Sequence, residues 1–142
     1  MTESGVGEFP KGCRTIRIPC VQDERGALAF AEAQRVIPFA VERVFWIYDV
    51  PTEASRGGHA HWTCNELVVP VSGGFTVVLD DGQVRRQVRM ERPDEGVLIP
   101  AGVWCELLDF APGTVLLVMA SQPYQPEGYV HDYNEYKKAS NR

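Results

Sequence analysis

The stretch SRGGHAHWTCNELVVPVSG, residues 55–73, holds two of the chain's three histidines, His59 and His61, one residue apart. Its second half, ELVVPV, is rich in β-branched side chains and closes on Ser-Gly-Gly, so it reads as a strand ended by a turn. On a strand, residues two apart project to the same face, which sends His59 and His61 together and turns the small Ala60 the other way. Glu66 follows five positions after His61 and Gly73 seven after that. Two chemistries suit such a pair. Neutral imidazoles ligate zinc, iron or manganese, and an imidazole also takes up and releases protons near neutral pH. Two polar residues that merely share a strand face are the third possibility.

Outward from this stretch the chain keeps the same character. Short runs of high β propensity recur as RTIRIPCV, VERVFWIYDV, FTVVLDD, VRRQVRM, GVLIPAGVWCELLDF and TVLLVMAS. The breaks between them, PTEASRGG, SGG, DDGQ, RPDEG and APG, carry the Gly, Pro and Asp that turns demand. DDGQ predicts a tight hairpin, with Asp-Gly supplying positive φ angles. ALAFAEAQRV is the one candidate helix, with a strand as its alternative, and the C-terminal KKASNR reads as a frayed tail. Many short strands at this spacing predict an all-β sandwich or barrel. With no repeat and no internal boundary, residues 1–142 form a single domain.

Bulk composition narrows the partners. At 44% hydrophobic and 23% charged the chain is globular. A net charge of −5 argues against a nucleic-acid backbone as partner, while local arginines can still meet a small anionic ligand. No apolar run approaches the ~20 residues that cross a bilayer. The segment MTESGVGEFPKGCR lacks a signal-peptide pattern, so the expected location is cytoplasmic. Cys13, Cys20, Cys64 and Cys105 have no metal-finger or C-x-x-C spacing and are expected as free thiols.

The motif resembles the first signature of the cupin superfamily: H-x-H, four residues, Glu, six residues, Gly. Here it is filled by His59, His61, Glu66 and Gly73. The second signature, P-x-G, two residues, His, is matched by Pro100 and Gly102, with Cys105 in the histidine's place. The resemblance implies a double-stranded β-helix, a jelly-roll barrel with its active site inside. A metal-using member would ligate zinc, iron or manganese through His59, His61, Glu66 and Cys105, as an oxygenase or isomerase. A metal-free member would use the imidazoles for proton transfer.

A narrower likeness spans residues 14–137. The segments DERGAL, IPF, RVF, YDV and RGGHAH, and the tail YQPEGYVHDYNEYKK, are similar to those of the nucleotide-sugar 3,4-ketoisomerases. That family acts on dTDP-4-keto-6-deoxyglucose, moves its carbonyl from C4 to C3, needs no metal or other cofactor, and forms homodimers with exchanged strands. The resemblance implies that His59, His61, Tyr48 and Arg56 are catalytic. Arg43, Trp46, Glu66 and Cys105 join Arg56 as candidate substrate-binding residues, with the two arginines as the cations nearest the site for a diphosphate. The chemistry fits: an imidazole removes the proton beside the carbonyl, and an arginine or phenol stabilises the enediolate oxygen. The chain departs from the family at Trp62, Glu66 and Cys105, where lysine, glutamine and histidine are usual, and at Gly128 and His131 in the tail. His131 reads as a surface residue rather than a third catalytic histidine. Besides the metal-dependent cupin, a non-catalytic sugar-nucleotide-binding cupin and an epimerase of the same substrate remain alternatives.

Overall fold

The structure, a computed structural model, describes residues 8–140. Residues 1–7 of the leader segment and the last two residues of KKASNR lie outside that range. The strands run in chain order as β1 (Arg14–Arg17), β2 (Cys20–Asp23), β3 (Gly26–Ala29), β4 (Arg43–Tyr48), β5 (Arg56–His61), β6 (Glu66–Ser72), β7 (Phe75–Asp80), β8 (Arg85–Met90), β9 (Glu95–Ile99), β10 (Trp104–Leu108), β11 (Val115–Ala120) and β12 (Tyr129–Val130). One helix, α1 (Tyr133–Ser140), follows. Two five-stranded antiparallel sheets result, ordered β1-β9-β6-β11-β4 and β12-β5-β10-β7-β8, with β2 and β3 pairing only with each other. This is the all-β jelly roll that the sequence predicts.

Alternation along the strands builds the core between the sheets. Val68, Val97, Ile99, Leu116 and Val118 from the first sheet meet Phe75, Val77, Leu79, Val88, Met90 and Leu107 from the second. The run GVLIPAGVWCELLDF is not one strand but the crossing between sheets: β9 ends at Ile99, and the turn around Gly102 delivers β10 to the opposite sheet. Gly102 holds φ +88°, a conformation that glycine adopts without penalty. Pro70 stands inside β6, a place where proline normally breaks a ladder. It is tolerated because β9 pairs β6 only as far as Val68, and a bulge opposite Val115 and Leu116 displaces the other neighbour. At Gly73, φ is +77° and a Cβ would collide with Thr114, whose hydroxyl ties the turn to Gly74.

Three expectations are corrected. The helical reading of ALAFAEAQRV fails and its strand alternative holds only at the start: the segment begins as β3 and continues as irregular chain. The Asp23 carboxylate accepts the Arg25 backbone N–H at 2.8 Å and starts a hairpin turn, which Gly26 completes at φ +121°. The following segment spreads Ala31, Val36, Phe39 and Val41 over the outer face of the first sheet, around Ile37, Leu67, Val69 and Met119. That burial outweighs the helix propensity of a few alanines. In DDGQ only Gly82 takes positive φ, while Asp81 accepts the N–H groups of Gln83 and Val84 at 2.8 Å each. Finally, Lys137–Ser140 of the predicted frayed tail lie within α1. Tyr136 is fully buried there, with its hydroxyl 2.9 Å from Asp80 O and 2.7 Å from Gly102 O.

Candidate active site

The two glycines before the histidines shape their strand. Gly57 and Gly58 take φ +81° and +70°, and a Cβ on Gly57 would stand 3.1 Å from Cys105 O. Cys105 pairs with His59, whereas Glu106 pairs with Gly57, so Gly58 is the extra residue of a β-bulge. Past this bend Ala60 packs on Trp104, Val130 and Tyr136 beneath α1, and His59 and His61 face between the sheets. The Trp62–Asn65 turn is pinned to the second motif. Asn65 Oδ1 accepts the Ala101 N–H at 2.9 Å, and His61 O accepts the Gly102 N–H at 2.7 Å.

The histidines line a cavity of about 450 Å³ that opens along β4, β5 and β12. Its apolar wall is Phe45, Ile47, Val68, Ile99, Leu107 and Val118, and its polar wall is His59, His61, Glu66, Tyr129 and His131, with Arg56 and Ser55 at the mouth. The two imidazoles stand perpendicular with centroids 4.9 Å apart. His61 Nε2 lies 3.2 Å from Glu66 Oε2, and the two side chains are only 8% and 7% exposed. Arg43 Nη2 approaches the same carboxylate oxygen at 4.0 Å. Burial, reinforced by the neighbouring His61, pushes His59 down to about 4, so its imidazole is neutral at physiological pH. Burial raises the Cys105 thiol far above its ordinary 9.0, with Glu66 adding to the effect, so it stays protonated.

Of the residues singled out from sequence, His59, His61, Glu66, Cys105 and Arg56 meet at this cavity, and Arg43 supports it from beside Glu66. Tyr48 and Trp46 do not. Alternation along β4 turns Phe45 and Ile47 inward, so Trp46 and Tyr48, 60% and 59% exposed, point away from the histidines of their own chain. Tyr48, expected to be catalytic, therefore lies outside the cavity that the histidines of its own chain line.

Two aromatics from the tail take that side of the cavity instead. Tyr129 pairs with His61 across β12 and β5, with ring centroids 4.1 Å apart, and lies 5.0 Å from His59. Burial raises its phenol above the ordinary 10.0 against the pull of Arg43, which keeps it a proton donor. His131 is exposed as expected, yet it stacks on Tyr129 at 5.6 Å and stands 5.9 Å from His59. Nothing in the spacing of HAHWTCNE pointed to Tyr129. Only the pairing of β12 with β5 brings it in.

Residues 11–141 match the family model described as FdtA: WxcM-like, C-terminal. The chain belongs to this family. It is also 34% identical over 125 residues, covering 88% of this chain and 90% of the relative, to a TDP-4-oxo-6-deoxy-α-D-glucose-3,4-oxoisomerase of Aneurinibacillus thermoaerophilus. Among solved structures it resembles a 3,4-ketoisomerase from Helicobacter canadensis, with a TM-score of 0.89 and 31% identity over 92% of this chain and 98% of that one. A mutant of the ketoisomerase QdtA from Thermoanaerobacterium thermosaccharolyticum, in complex with TDP-4-keto-6-deoxyglucose, gives a TM-score of 0.90 and 27% identity over 94% and 96% of the two chains.

Proposed function

We propose that the chain is a sugar 3,4-ketoisomerase that converts TDP-4-keto-6-deoxyglucose into the 3-keto isomer. One observation carries the reading: His59, held neutral, stands 4.9 Å from His61 in a cavity large enough for a hexose, in a chain 34% identical to an enzyme of that name. A neutral imidazole accepts the C3 proton, and the electron pair moves into an enediolate. The C4 oxygen takes up a proton, the C3 hydroxyl proton leaves and carbon C4 is protonated, so C3 is oxidised as C4 is reduced and no external redox partner is needed. Tyr129 and Arg56 are the donors we assign to the developing oxyanion and the sugar, and Arg56 at the mouth meets the diphosphate. His61, against Glu66, hands the proton on.

The same reading gives a homodimer with exchanged strands. The β2–β3 hairpin supports it, since Leu28 is 61% exposed and neither strand pairs with the sheets of its own chain. A cytoplasmic location agrees with the four free cysteines. Among the described residues no helix is long and apolar enough to cross a membrane.

The test is incubation with TDP-4-keto-6-deoxyglucose in D2O, followed by NMR of the product. A 3-keto sugar carrying deuterium at C4 is the expected result. Recovery of unreacted substrate by a protein that still binds TDP would point to a binding module instead.

A further inference from the structure

A second, smaller recess lies behind His61, lined by Arg43, Thr63, Cys64, Gln122 and Tyr129 and not by His59. A ring nitrogen of His61 and the sulfur of Cys64, which both line it, and a carboxylate oxygen of Glu66 from the main cavity lie within 4.8 Å of one another, all on buried residues. His61 Nε2 and Glu66 Oε2 are 3.2 Å apart, yet that nitrogen has no hydrogen-bond partner. A nitrogen and an oxygen this close without a directed hydrogen between them are spaced like two ligands converging on a third atom. Zinc, with bonds of about 2.0–2.3 Å, sets the edges of its tetrahedron at roughly 3.3–3.6 Å, so a shift on the order of 1 Å closes the set. The thiol is only loosely engaged, at 3.6 Å from Asn65 O and 3.9 Å from Ser121 Oγ.

We propose that His61, Cys64 and Glu66 form an inhibitory site for a thiophilic divalent cation such as zinc, with water as the fourth ligand. Imidazole, thiolate and carboxylate are the donors that zinc takes. Arg43 limits the affinity. Its Nη2 is 4.0 Å from Glu66, and it must swing away when a dication arrives. The rings of Phe45 and Tyr124, 5.0 and 5.6 Å from its guanidinium carbon, remain to receive it. The cation occupies the lone pair of His61 and removes it from proton transfer. That inhibition rests on the ketoisomerase reading, whereas the binding does not.

The purified full chain is titrated with cobalt(II), whose absorption reports thiolate ligation. The expected result is a sulfur-to-cobalt charge-transfer band that saturates at one equivalent and is displaced by zinc. Cys64→Ser should abolish the band, and Glu66→Gln should keep it while weakening affinity ~10-fold or more. Cys105→Ser should leave it in place. TDP binding by each variant verifies its fold, with Cys64→Ala replacing any serine variant that fails. In parallel, zinc should inhibit isomerisation over the concentration range in which it displaces cobalt, and Cys64→Ser should raise the inhibitory concentration ~10-fold or more. Absence of saturable cobalt binding, or a band lost with Cys105→Ser and kept with Cys64→Ser, overturns the site. Intact cobalt binding in a protein without isomerase activity sinks the functional reading and leaves the site standing.

Discussion

At the scale of single residues, the site combines groups whose environments push them apart. His59 is neutral because burial and His61 disfavour its charged form, and Tyr129 stays protonated because burial disfavours the phenolate. One is ready to accept a proton and the other to donate one. His61→Asn keeps polarity near Glu66 but cannot carry a proton, so turnover should fall on the order of 10²-fold or more while TDP binding is nearly unchanged. Steady-state kinetics with calorimetric TDP titration checks this, and an active variant would reduce His61 to a structural role. The pH profile follows from His59. Its value lies at about 4 in the fold against an ordinary 6.5. The basic form therefore persists well below neutrality, and the acid limb of kcat/KM should fall below pH 6. The stability contribution has the matching sign, fully present above 6.5 and lost as pH drops toward about 4. An acid limb at 6.5 or higher would contradict a buried neutral His59.

Among elements, the C-terminal segment decides how well the site is assembled, because Tyr129 and His131 reach the cavity only if β12 pairs with β5. The clamp is Asp80. Its carboxylate accepts hydrogen bonds from Tyr133 Oη and Arg85 Nη1 at 2.7 Å, and from the Gly82 N–H at 2.7 Å. Burial alone would raise this carboxyl, but the bonds from Tyr133, Gly82 and Arg85 win and hold it below its ordinary 3.8. Asp80→Asn turns one acceptor into a donor facing donors. It should cost about 2–3 kcal/mol, seen as roughly 6–12 °C in the melting temperature. Because the carboxylate contributes above its unfolded value and stops contributing as pH falls through the lower folded one, the gap between wild type and variant should close below about pH 4. An unchanged gap at acidic pH would show that the loss comes from shape rather than charge.

For the whole molecule, the outer surface of the first sheet is unevenly covered. Residues 31–41 seal one end, while Val44, Trp46, Tyr48 and Val71 remain exposed beside a hairpin that shows Val21, Leu28 and Phe30. An isolated two-stranded hairpin is marginal in water, so a second copy of the chain is the support that the proposed strand exchange supplies. Light scattering should give a mass near twice the 15.9 kDa chain. Leu28→Glu together with Trp46→Glu should shift the protein to monomers by raising the dissociation constant ~100-fold or more, since each charge would be buried at the interface. A wild-type monomer at micromolar concentration would refute the dimer.

Local sequence determined the strands and the histidine geometry. Period-2 alternation, turn residues and the fixed spacing of His59, His61, Glu66 and Gly73 are local quantities, and a strand puts residues two apart on one face wherever it lies. The same rule already implied that Tyr48 and Trp46 face opposite to Phe45 and Ile47, but not which face the cavity takes. That depends on which sheet receives β4, a long-range pairing with β11. Tertiary structure alone decided the rest. The helix-prone alanines of ALAFAEAQRV became hairpin and cover because an open sheet face needed burial, and Tyr129 joined the histidines because two strands nearly 70 positions apart pair. The pKa of His59 was equally illegible, since desolvation belongs to the packed site and not to the residue.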